Sequence, residues 1–412
     1  MPRGAFPSHR LCQPQRGQIA PLALFGILIG SAAFVLMYNT GQKITEKSNV
    51  TNAADAAAYS GAVWTARHLN FMAYSNRAMV ANDIAVGHYV SYTSWLRYVH
   101  ESIDDVEKVA RWIPYIGQYV AQAEDVIVEI RKANDEIAGE VVAGINDLNS
   151  SYRAAQLETQ ASLALNHLNE LMRATAQAYD PDINVNDDGD LNRMPSTLRT
   201  PIQVQLLGQL AAVPRFVQRY TASNDKGRIN EVVNASVGAT DDNRRWITGR
   251  RGWTDDSLII KQIRKDGSTT HTQNDRNADW HATDRLRYRN RDLFGWNDWH
   301  AIGPRTRASA RELDRDYAGV PNYFNVSGDP GDQALRIGVL ATKPQGRVET
   351  APLLGMQPTR DPIAAAAMAR VEFKRPQGSA FASLGRSRAE YANLFNPFWE
   401  ARLTAADLGL GL

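Results

Sequence analysis

The chain has 412 residues, 43% of them apolar and 22% charged, the composition of a globular protein long enough for two or three domains with their own cores. That composition excludes collagen-like, disulfide-scaffold and wholly disordered classes, and 46 basic against 44 acidic residues, a formal charge of +2, give no overall basic excess for nucleic acid. With Cys12 as its single cysteine, it can form no intrachain disulfide.

The first 18 residues carry Arg3, Arg10 and Arg16 and no acid. From Ile19 to Tyr38 the sequence IAPLALFGILIGSAAFVLMY holds no charge, and as a helix it reaches ~30 Å, the thickness of a bilayer's hydrocarbon core. The arginines before this run, against Lys43, Lys47 and Glu46 after it, predict a cytoplasmic N-terminus. Ser31, Ala32 and Ala33 offer a signal-cleavage site, but the apolar run continues to Tyr38, so an uncleaved anchor is expected.

A surface break is predicted at Thr40 and Gly41. Residues 42 to 109 then lack proline and are rich in alanine, which predicts helix. Ala53, Ala57 and Gly61 recur every four positions, as do Ala54, Ala58 and Ala62. Two adjoining rows of small residues either let another helix approach closely or reflect only alanine's helix propensity. Pro114 and Gly117, beside Trp112, predict a turn.

Val126, Ile130, Ile137, Val141, Ile145, Leu148 and Tyr152 then mark the apolar face of a second helix, with Lys132, Asp135, Glu136 and Glu140 on its other side. After a break predicted at Asn149 to Ser151, Leu157, Leu163, Leu168, Leu171 and Met172 complete an antiparallel hairpin or small bundle. The spacing is not strictly heptad, and homo-oligomerisation through this stalk stays open.

Thirteen of the 18 prolines lie beyond residue 180, which predicts a domain boundary near 180 to 200. Leu335 to Thr342 and Arg370 to Lys374 read as strands. The expected class is α+β, with a tip at 1–18, a transmembrane helix at 19–38, a helical stalk at 39–180 and a mixed, loop-rich distal domain at 181–412. Leu394, Phe395, Phe398, Trp399 and Leu403 are too apolar for a free tail and are expected to dock on that domain.

Motifs for chemistry are sparse. Asn184, Asn186, Asp188 and Gly189 match the opening of a calcium loop, but its twelfth position is Pro195, so a turn-forming linker is expected. Trp246, Trp253, Trp280, Trp296 and Trp299 are interleaved with arginines that could stack on bases or sugars. Aspartates scattered through the same stretch would cancel a phosphate-attracting field, so a Trp-based core is expected there. His271, His281 and His300 have no zinc spacing. No G-x-S-x-G, Walker or H-E-x-x-H motif occurs, and no catalytic, cofactor or metal residue is assigned. A non-enzymatic protein without a cofactor is expected; the alternative is a membrane-tethered carbohydrate-binding or enzymatic protein using residues 246–299.

Arg16-Gly17-Gln18 before the apolar span, and Asn52-Ala53-Ala54-Asp55-Ala56-Ala57-Ala58 beyond it, resemble the N-terminal region of TadG-like proteins of the Flp (tight adherence) pilus system. The segment Asn393-Leu394-Phe395-Asn396-Pro397-Phe398-Trp399-Glu400-Ala401-Arg402-Leu403 is similar to the ending of long homologues that share this start. The resemblance implies a pseudopilin-like accessory protein of the bacterial inner membrane, working with pilins or pilus-assembly proteins in adhesion and biofilm formation. The D-x-S-x-S metal motif of von Willebrand domains, which some TadG-like proteins carry, is not matched by Asp266-Gly267-Ser268-Thr269-Thr270, whose Asp-Gly reads as a hairpin turn. Leu22 stands where processed type IV pilins have glutamate, five residues after Gly17.

Overall fold

The computed structural model describes residues 19–110, 117–164, 167–187, 189, 212, 215–216, 218–219, 253–258, 261–272, 278–293, 295–319, 334–351, 362–374 and 392–405. The tip with Arg16, Gly17 and Gln18, the turn expected at Pro114, Asp188, and Trp246 lie outside them.

One helix organises everything else. α1, Ile19–Ala110, runs 92 residues without interruption, about 138 Å at 1.5 Å per residue. The break expected at Thr40 and Gly41 is absent, because Thr40 Oγ donates to the Leu36 carbonyl and Thr45 Oγ to that of Gly41, keeping these hydroxyls within the helix. The segment from Ile19 to Tyr38 is long and apolar enough to cross a membrane and buries nothing against the rest of the chain.

α2, Gly117–Ala164, runs antiparallel to α1, and α3, His167–Gln177, continues in its direction. Asn134 Nδ2 reaches Thr93, Asn82 Nδ2 donates to Asn149 Oδ1, and Gln156 Nε2 donates to Ser75 Oγ and Asn76 Oδ1 at 2.7 Å each. These contacts explain why the break expected at 149–151 is missing. Asn149 is buried and bonded to α1, and Ser151 bonds back to the Asp147 carbonyl. The face of α2 on α1 holds Asn134, Ala138, Val142, Asn149, Gln156 and Leu163. Val126, Ile130, Ile137 and Leu148, expected on the buried side, are exposed.

Two antiparallel sheets lie along α1, one after the other. The first joins β1 (Asn184–Val185), β7 (Ala334–Lys343), β8 (Ile363–Phe373) and β9 (Trp399–Thr404) in that order. The second pairs β2 (Trp253–Leu258) with β3 (Lys261–Thr272) and β3 with β4 (Asp279–Asp292). β4 in turn pairs with β5 (Gly295–Trp296) and β6 (His300–Ser309). A short helix, α4 (Ala310–Leu313), follows β6 and is capped by Ser309 Oγ.

Both strand candidates are present, as β7 and as the C-terminal half of a longer β8. The hairpin turn expected at Asp266-Gly267 is not formed: β3 passes straight through it, with Asp266 opposite Arg285 and Gly267 opposite Asp284.

The stalk and the sheets are not separate bodies end to end. Residues 50–72 of α1 share one core with Leu163, Leu168, Met172 and the inward row of β7, β8 and β9. Val86 and Val90 share a second with Val142, Trp280, Ala282, Ala308, Ala310 and Tyr317. Neither sheet has two apolar faces, and α1 supplies the missing layer for both.

Candidate interaction site

The small-residue rows occupy the first core. Ala53, Ala54, Ala57, Ala58 and Ala62 are fully buried, in one cluster with Ala365, Ala367 and Ala369 of β8. Alanine facing alanine lets the strand lie close to the helix. A Cβ on Gly61 would stand 2.9 Å from Met172 Sδ and 3.2 Å from Leu168 Cδ1. The surface expected to receive another helix thus receives α3 and β8 of its own chain. Asn52 remains exposed and Asp55 is half-buried.

The closing segment is anchored to the same stretch. Asn70 pairs with the Trp399 backbone in both directions, donating to its carbonyl at 2.9 Å and accepting from its N–H at 3.0 Å. Asn76 Nδ2 donates to the Leu394 carbonyl. Asn393 Oδ1 accepts from the N–H groups of Phe395 and Asn396, and the Asn393 carbonyl accepts from the Trp399 indole. The turn therefore forms before Pro397 and drives Trp399 against Phe216 and Phe373. Leu394 and Trp399 are buried and Phe395 and Phe398 half-buried, as docking requires, whereas Leu403 is 51% exposed beside the sheet edge.

Where α1 leaves the apolar span, the first sheet is clamped to it. Asn39 donates to the Ala351 carbonyl at 2.9 Å and accepts from the Ala351 N–H at 2.8 Å. Lys343 Nζ, nearly buried, meets Glu46 Oε2 at 2.7 Å and Asp180 Oδ2 at 2.6 Å. Burial opposes its charge, yet the bonds to Asp180 and Glu46 outweigh this and raise its pKa; the Lys343 bond lowers that of Asp180.

The second core is more polar. Lys265 and Asp284, 1% and 0% exposed, form an ion pair at 2.9 Å, and Ser94 Oγ donates to the other Asp284 oxygen at 2.7 Å. Lys265 also lies over the Tyr98 ring. Asp83, on α1, accepts from the Tyr317 hydroxyl, and burial pushes its carboxyl up to about 6. Burial likewise raises the Tyr317 hydroxyl, with Asp83 adding to the effect. Gly87 admits the Trp280 indole so closely that a Cβ would stand 2.8 Å from it. His271 packs edge-on to the same indole, and its burial pushes its pKa down to about 4.

The other sequence candidates are used within the fold. Asn186, at φ 52°, accepts from the Leu340 N–H and donates its own N–H to the Leu340 carbonyl, so it ends β1 rather than opening a cation loop. His281 bonds Thr272 and His300 lies against Tyr288. Among the described residues no three His, Cys, Asp or Glu side chains group as metal ligands. Trp280 is core, while Trp296 and Trp299 lie partly exposed beside Arg289, whose guanidinium carbon is 5.0 and 4.7 Å from their ring centres.

The described architecture is that of a helix-spined protein with one candidate membrane span, whose sheets are laid on the helix beyond it. Residues 17–64, the span and the alanine block together, match the family of Flp pilus-assembly TadE/G-like (Tad) proteins. No curated protein matches the chain. No solved structure matches it.

Proposed function

We propose that the chain is a non-enzymatic, pseudopilin-like accessory protein of Flp/Tad pilus assembly, contributing to adhesion and biofilm formation. It is held in the bacterial inner membrane by residues 19–38, with its N-terminus cytoplasmic and its bulk periplasmic. The observation that carries this reading is the family match over residues 17–64, which covers the whole apolar span and the small-residue block beyond it. The arginines of the N-terminal tip support the orientation. The exposed stripe Val126, Ile130, Ile137 and Leu148 on α2 supports helix-mediated contact with pilins, assembly proteins or a second copy, in place of the alanine rows.

The test is deletion and complementation in the native cell, with surface pili counted by electron microscopy. Loss of piliation on deletion, restored by the chain, is expected; normal piliation in the deletion strain would overturn the reading. Alkaline phosphatase fused after Leu412 checks orientation and should be active.

A further inference from the structure

Along β4 the sequence alternates arginine with other residues: Arg285, Arg287, Arg289 and Arg291. Successive side chains of a strand point to opposite faces, and the partners of this row settle which face is which. Trp280, Ala282 and Asp284 are buried against α1. The odd-numbered residues therefore project from the far side of the sheet.

The neighbouring strands add to that side. Arg264 of β3 stands opposite Arg287 in the β3–β4 register. On β6, Arg307 stands opposite Thr283, and Arg305 Nη2 bonds Thr283 Oγ1 at 3.1 Å, so both share the outward face. Against these seven arginines, the described side chains of β3, β4 and β6 set two outward aspartates. Asp266 is contacted by Arg264, Arg285 and Arg287 at 2.6, 3.6 and 3.1 Å. Asp279 lies at the far end, accepting from the Arg311 N–H. Asp284 is turned inward onto Lys265. Asp284, which adjoins the arginine row in sequence, is thus separated from it by the pleat, whereas Asp266 stays on the arginine face.

We infer that the outward face of the second sheet is a binding surface for an acidic polysaccharide, its guanidinium groups taking up the carboxylates of uronic-acid units. Guanidinium is planar and matches carboxylate in bidentate fashion. Five of the seven arginines are accessible: side-chain exposure is 48% for Arg264 and 40% for Arg285, and Arg291, Arg305 and Arg307 are exposed, while Arg287, at 21%, and Arg289 are partly covered. Trp296 and Trp299 lie against Arg289, with Arg291 near the first ring and Arg264 near the second. These indoles hold arginines in place and are not laid open as a stacking platform, which favours a carboxylated sugar chain over single-stranded nucleic acid. The choice of a polysaccharide from outside the cytoplasm rests on the orientation proposed above; the basic face itself does not.

The test uses the full chain in nanodiscs of zwitterionic lipid. Binding of polygalacturonate is measured at low and physiological salt, beside its fully methyl-esterified form, which keeps the backbone and removes the charge. Binding of the acid form that weakens with salt, at least tenfold tighter than the ester, is expected. The triple variant Arg285→Gln, Arg291→Gln and Arg305→Gln should lose at least tenfold in affinity. The single variant Arg291→Glu, which alters one exposed side chain, should weaken binding in the same direction if the triple variant fails to fold. No binding of the acid form, equal binding of the ester, or unchanged affinity in Arg291→Glu would each overturn the inference. Tighter binding of a single-stranded oligonucleotide than of polygalacturonate would replace the polysaccharide with nucleic acid. Because this assay needs no pilus, loss of the pilus reading leaves its result intact.

Discussion

The two sheets meet the same helix with different chemistry. The first presents Ile337, Val339, Ala367 and Ala369 to a row of alanines, and buries Thr342 and Lys343 at the end of β7. The second presents Lys265, Thr269, Asp284 and Thr306 to Ser91 and Ser94, with a small apolar cluster around Trp280 at one end. Directional polar bonds tie α1 to both: Asn39, Glu46, Asn70 and Asn76 reach the first sheet and its flanking segments, and Ser91 and Ser94 reach the second. Lys265 and Asp284 both belong to the second sheet, so their ion pair holds β3 against β4, and the Ser94 bond ties that pair to α1.

The largest effect is expected in the apolar module. Trp399→Ala removes a buried ring and loosens the β9 turn, at a cost of about 3 to 5 kcal/mol read from chemical denaturation. A loss below 1 kcal/mol would show that Asn70 and Asn76 hold the segment without the indole.

Lys265→Met should cost about 3 kcal/mol by stranding Asp284 away from water. Adding Asp284→Leu should recover most of that loss, while either single change stays destabilising. If the double variant is no better than Lys265→Met, the stranded carboxylate is not the source of the loss.

Gly87→Ala and Gly61→Ala sharpen the contrast with one methyl group each. At Gly87 the obstacle is a rigid indole held from several sides, and a loss of about 1 to 3 kcal/mol is expected from overpacking. At Gly61 the obstacle is the end of a flexible methionine, and the better helix propensity of alanine, worth about 1 kcal/mol, offsets much of the clash. Equal losses at the two sites would mean that the modules are equally tight. A bulky residue at Gly61 has no such room, and leucine there is expected to destabilise the chain.

The second core also gives stability a dependence on pH. Asp83 has its folded pKa raised to about 6, so it favours the folded state when protonated and loses stability as pH rises from about 4 to about 6. His271, lowered to about 4, acts oppositely and loses stability as pH falls below its ordinary value near 6.5. Asp83→Asn should abolish the first limb and leave the second. Melting curves from pH 4 to 8 would check this, and an unchanged profile would remove Asp83 as its source.

The parts legible in the sequence were those with one-dimensional signals. Twenty uncharged residues mark the span, and LRIGVLAT marks β7 through its aliphatic and β-branched residues. The start of β8 was hidden because Ala364 to Ala367 carry the best helix former, and only the alanine surface of α1 opposite them makes a strand there favourable. α2 misled in the opposite way: its continuous apolar stripe is largely exposed, and its buried face uses Asn134, Asn149 and Gln156, which look like surface residues until α1 supplies their partners.

The basic face was written plainly in the sequence, as arginine at every second position from 285 to 291, a strand period. Counting charges along the chain hid it, since the pleat sorts residues by parity and not by proximity in sequence.

Without a hinge between Ile19 and Ala110, α1 is a lever as well as a scaffold. The 72 residues beyond Tyr38 extend about 108 Å, so the ordinary ~20° tilt of a membrane helix carries the far end sideways by roughly 35 Å. Rotation of the span about its own axis turns both sheets through the same angle. With the candidate span seated in a bilayer, as proposed above, small changes of its posture would be magnified into large displacements of the arginine-bearing sheet.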